Sequence, residues 1–355
     1  MHSSRNELAY YAFIMYNGGY GKSRRYDFLY SHSAGRFKRN TQEEEINVIR
    51  YIIKRIVAGL LTILVLITVT FFLMHAIPGG PFNPGDNKEL PQEALDMLKE
   101  KYGLNKSVGE QFILYLNNLL HGNLGESYKK IGTTVNELVG REFPVSARVG
   151  LIAICISIVI GLALGIVSAI WKGSIFDSLS LAFATIGISV PSFVIAVLLM
   201  QFFCDYLNIL PSFGLKTWRH YILPVACLSF NPIAYIARQT RSSMLEAMEA
   251  DYIRTARAKG LSEFIVIVKH ALKNAVMPVV TYLGTLVASL LTGSFVIERL
   301  FSIPGIGREF VTSVSDRDYT VIMGMTIFFG AFVIVCNIIV DIAYAIIDPR
   351  VKLTD

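Results

Sequence analysis

The sequence contains few charged residues. Asp, Glu, Lys and Arg make up 17% of its 355 residues, whereas soluble domains usually contain about 25%. Hydrophobic residues reach 53%. This balance argues against an ordinary soluble protein and indicates a membrane protein.

Residues for metal binding and covalent chemistry are also scarce. The four cysteines lie in different apolar stretches without a CxxC pair, and no histidines cluster, so we expect neither a disulfide framework nor a metal site. The segment ending Gly21-Lys22-Ser23 resembles the end of a phosphate-binding loop, but Tyr16 replaces its first glycine. No Ser/His/Asp or Cys/His set is recognisable. We therefore expect a non-catalytic chain that binds no cofactor directly.

Long apolar runs are what the sequence has instead. A membrane-spanning helix needs about 20 such residues, and six runs qualify, although the fourth is shorter and holds two prolines. They cover residues 56–77, 149–171, 178–204, 221–237, 274–297 and 319–340. These runs predict an all-α, polytopic membrane protein with about six transmembrane helices.

A charged insert separates the fourth and fifth runs. Residues 238–273 carry seven Lys/Arg and four Asp/Glu, and burying these in a bilayer would cost about 30 kcal/mol. The insert must therefore lie in water. Met244, Met248, Tyr252 and Thr255/Ala256 recur at helical spacing, which predicts a first helix over about 243–259. Gly260 then permits a sharp reversal before a second short helix.

The distribution of Lys and Arg predicts the orientation. With the N-terminus inside, twenty of the 33 lie on the cytoplasmic side, and eight of the other thirteen lie in one long outer loop. Long loops cross the membrane largely regardless of charge. We therefore place both termini and the insert in the cytoplasm. The net charge of +6 is explained by this bias and requires no nucleic acid.

The remaining segments complete the predicted organisation. Residues 1–47 are a polar tail, expected to be disordered or the product of an overlong start; 48–78 hold the first transmembrane helix; 351–355 form a short C-terminal tail. The outer loop 79–148 is predicted to be helical, with helices opening at Pro91, Ser107 and a capping box at Thr134. It serves either as a cap or as a docking surface for an external partner. Residues 149–350 form a five-helix core containing the insert.

Several residues inside the runs are candidates for a solute pathway. Pro191, Pro224, Pro232 and Pro278 are expected to interrupt runs three, four and five, because proline frees backbone groups and bends a helix. Packing alone also explains such bends, and Asp341 fits a structural pairing near the membrane surface as well as a functional role. The predicted pathway or gating residues are Pro191, Asn231, Pro232, Pro278 and Asp341. A GxxxG pair, Gly161 and Gly165, predicts close helix packing within the chain or against a partner.

The insert also carries a family resemblance. The stretches DYIRTARAKGL (251–261) and KHALKNA (269–275) resemble the cytoplasmic EAA loop of ABC importer permeases, in the oligopeptide/dipeptide/nickel branch. Arg254, Thr255, His270 and Lys273 depart from the general pattern, yet the form is similar to that of the peptide branch. Other segments agree in order: 77–82, 122–127, 143–146, 303–307, 317–319 and 340–350. The resemblance covers about residues 48–353, and the long first loop is similar to that of the B-type subunit.

This resemblance implies a type I ABC importer-like transmembrane domain in a prokaryotic inner membrane. The first helix of the insert would lie in a groove on a cytoplasmic ATPase, with Ala256 at the contact and with Glu249, Arg254 and Arg257 as rim charges. ATP and Mg would be bound by the partner subunits. The residues implied in ATPase coupling are Met248, Glu249, Tyr252, Arg254, Thr255, Ala256, Arg257 and Gly260.

The resemblance also implies partners and a substrate class. The partners would be a second, related permease subunit, two ATPase subunits and an extracytoplasmic solute-binding protein. Oligopeptides or dipeptides are the expected solutes, with nickel or another small solute as the alternative. An ion-coupled secondary transporter is less consistent with spans that hold almost no charge. A membrane scaffold would require the insert to bind something other than an ATPase.

Overall fold

The computed structural model describes residues 53–77, 82 and 91–347, with no side-chain account of 94 and 341–347. Nearly all of these residues belong to one compact unit, Ile56–Val351; the other unit, Met1–Arg55 and Lys352–Asp355, contributes only 53–55. The predicted tails, 1–47 and 351–355, lie outside the described residues. The described part is helical without strands and has one isolated bridge, between Glu126 and Thr134.

The helices follow one another with short connections. They are α1 (Ile53–Ala76), α2 (Gln92–Lys101), α3 (Val108–Leu120), α4 (Val135–Ile170), α5 (Ile175–Ser189), α6 (Ser192–Met200, continued by a π-helical turn Gln201–Tyr206), α7 (Arg219–Glu249), α8 (Asp251–Ala258), α9 (263–275, with a π-helical turn Val266–Ala271), α10 (Met277–Leu291), α11 (Phe295–Leu300), α12 (Ile306–Asp316) and α13 (Tyr319–Ile347). We call the end of the bundle that carries α8 and α9 the insert end, and the end that carries α2 and α3 the loop end.

The predicted membrane spans are present, and the third of them is sharply bent. Five helical stretches are long and apolar enough to cross a bilayer: Ile53–Ala76, Val135–Ile170, Arg219–Glu249, Met277–Leu300 and Tyr319–Val340. The sixth is the pair α5 and α6, bent by 105°. Pro191 caps α6, and Val190 before it is extended (φ −89°, ψ 124°), because a residue that precedes proline is disfavoured in the helical region. Run 178–204 is therefore not one straight helix.

The other prolines do not interrupt helices as predicted. Pro224 and Pro232 lie inside α7, which continues through both. Pro278 lies at the first turn of α10, where proline is tolerated because its missing N–H has no helical partner there. The prediction that Pro278 interrupts a span is therefore wrong.

Helices begin after Ser107 and Thr134 as predicted, and both residues form capping boxes, of which only the one at Thr134 was predicted. Ser107 N donates to Glu110 Oε2 at 3.0 Å at the start of α3. Thr134 caps α4, with Glu137 N donating to Thr134 Oγ1 at 3.2 Å. This third helix is not confined to the predicted loop 79–148, because it continues through Pro144 to Ile170. The predicted boundary at residue 148 therefore falls inside a helix.

Close contact between α4 and α7 forms the centre of the bundle. A Cβ on Gly161 would lie 2.7 Å from Ile236 Cβ, and a Cβ on Gly165 would lie 2.5 Å from Thr240 Cβ. Real Cβ atoms do not approach so closely, so only glycine permits this packing. The GxxxG pair thus packs within the chain, which was one of the two predicted alternatives.

Candidate functional site: the insert hairpin and a polar helix face

The first helix of the insert is broken, contrary to the prediction of one helix over about 243–259. Helix α7 ends at Glu249, Ala250 is extended (φ −71°, ψ 150°), and α8 then begins at Asp251. Neither proline nor glycine marks this break, so no local sequence signal predicted it. Gly260 has the expected positive φ, +75°, and reverses the chain toward α9.

Helix α8 lies on an apolar cluster at the insert end. Ile253 is completely buried and Ala256 is 5% exposed. The buried members of this cluster are Ala169, Met244, Ala247, Ile253, Ala256, Val266, Ala271 and Ala275. Since the cluster joins α4, α7, α8 and α9, it anchors the short helix to the membrane-spanning helices.

Burial corrects two predictions about this helix. Ala256 faces the chain's own cluster, so its predicted place at the contact surface is wrong. Met244 is fully buried, whereas Tyr252 is 42% exposed. The residues of the expected apolar stripe therefore do not lie on one face. The break at Ala250 changes the direction of α8 and separates them. Ile253, which sequence reasoning missed, anchors the helix from within.

The residues of α8 that do not face this cluster are exposed. Tyr252, Arg254, Thr255, Arg257 and Gly260 are all exposed in the described chain. Glu249 is also exposed and lies 3.7 Å from Lys172 Nζ, whereas Met248 is half-buried against the apolar cluster. Most of the predicted coupling residues are therefore accessible, and their role in coupling stays a prediction.

The arginines of α8 make different contacts. Arg257 donates from Nε to Glu263 Oε1 at 2.8 Å and from Nη2 to Glu263 Oε2 at 3.2 Å, which ties α8 to α9. Arg254 Nη1 lies 3.7 Å from Asp251 Oδ1, and both side chains are highly exposed. Exposed pairs of this kind add little to stability, so Arg254 is available to a partner.

Sequence reasoning also missed a buried ion pair behind the hairpin. Asp177 of α5 is 3% exposed. Its carboxylate accepts hydrogen bonds from Arg241 Nε at 2.5 Å and Arg241 Nη2 at 2.8 Å. The two residues are 64 positions apart, so no local pattern pairs them.

Helix α10 exposes hydroxyl residues, whereas its aliphatic residues are buried or half-buried. Its only exposed residues are Thr281, Thr285 and Ser289, spaced four apart on one face. By contrast, α1 exposes large apolar side chains, including Leu60, Leu61 and Leu64. A helix surrounded by lipid normally turns its apolar side chains outward, so this face of α10 is suited to water or to another helix.

Helix α7 shows a similar polar face. From Asn231 onward, its exposed residues are Asn231, Tyr235, Arg238, Ser242, Glu246 and Glu249. Tyr235 contacts Tyr282 of α10, with ring centroids 4.0 Å apart. This contact places the polar faces of α7 and α10 beside each other.

The predicted pathway residues have different environments. Asn231 is exposed and donates from Nδ2 to the carbonyl oxygen of Gly187 at 3.1 Å, while Pro232 behind it is buried. Pro191 is exposed at the bend between α5 and α6, and Pro278 is half-buried. Asp341 belongs to α13, but its side chain lies outside the described residues.

A buried carboxylate organises the loop end. Glu298 is 3% exposed and accepts a hydrogen bond from Arg308 N at 3.1 Å. A Cβ on Gly305 would lie 2.5 Å from Glu298 Oε2. Ser146 Oγ accepts from Ile306 N at 2.9 Å. The segments 143–146 and 303–307, which carried part of the resemblance, are therefore packed around one acid.

Taken together, these features define a multi-pass helical membrane protein with an anchored polar hairpin at one end. Residues 161–353 match the family described as binding-protein-dependent transport system inner membrane component, and residues 48–159 match the N-terminal region of such components. The chain belongs to this family.

Curated relatives cover most of the chain. It is 48% identical to the dipeptide transport system permease protein DppB of Bacillus subtilis, over 86% of this chain and 98% of the relative. It is 41% identical to the oligopeptide transport system permease protein OppB of Salmonella typhimurium, over 86% of this chain and 100% of the relative. Among solved structures, it is similar to the inward-facing MetNI methionine ABC transporter, at 17% identity and a TM-score of 0.47, covering 59% of this chain and 96% of that one.

Proposed function

We propose that this chain is a transmembrane permease subunit of an ATP-driven importer for dipeptides or oligopeptides. The observation that carries the proposal is 48% identity to a dipeptide permease along almost the whole of that relative. The oligopeptide permease at 41% identity supports the same substrate class. The permease would form the solute path while the partner subunits hydrolyse ATP with Mg.

The hairpin supplies the proposed contact with the ATPase. The insert end lies in the cytoplasm in this proposal, with both termini on the same side, and α8 fits into a groove on an ATPase subunit. Its exposed Tyr252 would enter the groove and the exposed Arg254 would meet the rim. Since α8 is anchored by Ile253 to the bundle, movement of the groove would be transmitted to α4 and α7.

The polar faces of α7 and α10 are the proposed lining of the solute path. The oxygens of Thr285 and Asn231 offer hydrogen-bonding groups that suit peptide amides and carbonyls. A second, related permease subunit would face them and complete the path. Packing of that subunit directly onto the faces is the competing arrangement, and it would exclude water from Thr285.

The loop end is proposed to meet the binding protein that delivers the solute. Helix α3 exposes Ile113, Leu114 and Leu120, the last at 86%. Exposed apolar residues on one short helix are typical of a protein contact. This supports a docking surface over a simple cap.

An uptake experiment tests the proposal. A strain lacking this chain would be compared with the same strain carrying it, using a labelled dipeptide, a labelled pentapeptide and labelled nickel. The proposal expects peptide uptake to depend on the chain while nickel uptake does not. Chain-dependent uptake of nickel alone would contradict it and favour the metal-transporting branch.

A further inference from the structure

The buried acid at the insert end receives donors from three separate parts of the chain. Besides Arg241 of α7, Ser168 Oγ of α4 donates to Asp177 Oδ1 at 2.5 Å. Gly173 N, in the turn between α4 and α5, donates to Asp177 Oδ2 at 2.9 Å. Asp177 therefore connects the α4–α5 corner to α7 through one carboxylate.

The position of this contact relates it to the hairpin. Ala169, next to Ser168, and Met244, one turn beyond Arg241, both belong to the apolar cluster that anchors α8. The close approach of Gly165 to Thr240 lies immediately beside the same contact. The ion pair thus lies beside the apolar cluster that anchors α8 to the membrane-spanning helices.

The pair supplies more than stability. Burying the Asp177 carboxylate beside a half-buried Arg241 costs solvation, and apolar replacements of buried ion pairs are often as stable or more so. What the pair adds is geometry, because two parallel N–H···O hydrogen bonds from Nε and Nη2 hold the carboxylate in a defined orientation against the guanidinium. The arrangement here fixes α5 and α7 relative to each other.

We infer that Asp177 and Arg241 are positioning residues which make α4, α5, α7 and α8 move as one body when the ATPase closes. This inference rests on the proposed function. The pair touches neither the ATPase nor the solute. It acts by preventing α5 and α7 from moving relative to each other, so that both helices follow the displacement of α8.

The matched control is present in the same region. Lys172 and Glu249 connect the same corner to the end of α7, at 3.7 Å, but their side chains are 60% and 75% exposed. An exposed pair is screened by water and holds no fixed geometry. The variant Lys172→Met, which breaks this pair and leaves Glu249 unchanged, should therefore leave coupling within about twofold of wild type.

The test uses the complete complex in proteoliposomes, with the second permease, the ATPase subunits and the binding protein. The double variant Asp177→Ala/Arg241→Met removes both charges, so it leaves neither one unpaired in the folded chain. We expect the same amount of co-purified ATPase as in wild type, but labelled peptide transported per ATP hydrolysed should fall at least about fivefold. A ratio like that of the control variant, or loss of the ATPase from the complex, would overturn the inference.

A distance measurement separates this inference from the proposed function. Spin labels would be attached at Ser178 of α5 and Ala258 of α8, both exposed. In the wild-type complex we expect the label distance to be the same with and without ATP, and in the double variant it should change on ATP addition. A changing distance in wild type, or an unchanged one in both, would overturn the one-body movement. Failure of wild type to transport any peptide would instead overturn the proposed function.

Discussion

Ser127 Oγ donates a hydrogen bond to Asp318 Oδ2 at 2.5 Å across 191 positions of the chain. The same carboxylate accepts from Tyr128 N at 3.2 Å and Lys129 N at 3.3 Å. Asp318 lies just before α13, so this one acid holds the end of the first loop against the start of the last helix. Both segments, 122–127 and 317–319, carried the family resemblance, and the structure shows that they touch.

Replacing Asp318 by Ala should destabilise the loop end. The change leaves the buried Ser127 hydroxyl and the backbone N–H groups of Tyr128 and Val321 without this acceptor, which costs about 1–3 kcal/mol. The measurement is thermal unfolding of the purified chain in detergent. The control is Asp316→Ala, which removes an exposed acid two positions earlier and should leave the unfolding midpoint unchanged. Equal midpoints for the two variants would contradict a role for the buried contact.

Replacing Ile253 by Ala should loosen α8 from the bundle. Ile253 is fully buried in the anchoring cluster, and such truncations cost about 2–5 kcal/mol, whereas Ile253→Val should cost only about 0.5–1.5 kcal/mol. Limited proteolysis at the arginines of α8 measures the effect locally. We expect faster cleavage in the order wild type, Val, Ala. The same rate in all three would show that Ile253 does not anchor the helix.

Replacing Tyr252 by Ala should weaken binding to the ATPase without disturbing the fold. The side chain is 42% exposed, and truncation of a central aromatic contact commonly costs 2 kcal/mol or more, which is roughly a thirtyfold loss of affinity. Titration of the ATPase onto the purified permease complex would measure this. Glu246→Ala, an exposed change on α7 outside the short helix, serves as the control. If Glu246→Ala weakened ATPase binding as much as Tyr252→Ala, the contact with the ATPase would not be centred on α8.

A cysteine at Thr285 should react with a charged, membrane-impermeant thiol reagent in membranes opened to both sides. The background would have Cys155, Cys204, Cys227 and Cys336 replaced. We expect the label at Thr285 because its helix face lines a water-filled path in the proposed function. A cysteine at Leu64, which is 48% exposed on the apolar face of α1, should remain unlabelled in lipid. An unreactive Thr285→Cys variant would favour direct packing of the second permease on this face.

Some of this protein could be predicted from short stretches of its sequence. Three signals are local, because each is contained in one continuous segment: an apolar run long enough to cross a bilayer, a charged segment that must stay in water, and a Ser or Thr placed three residues before a Glu. The spans, the insert, and the capping boxes at Ser107 and Thr134 therefore follow from local chemistry. Gly260 belongs with them, since a reversal between two helices requires a residue that tolerates positive φ.

The break at Ala250 and the orientation of α8 depend on distant residues. Neither proline nor glycine lies near Ala250, and the turn there lets Ile253 and Ala256 pack in one cluster with Ala169, Val266 and Ala271. The same reason explains why Ala256 faces inward and Tyr252 outward.

The sequence alone thus determined which segments enter the membrane and which remain in water, because these preferences belong to each segment separately. Only the tertiary structure decided which charges meet, as in Asp177 with Arg241 and Asp318 with Ser127. A carboxylate can be buried only where its donors converge, and that convergence exists once helices far apart in the chain have packed together.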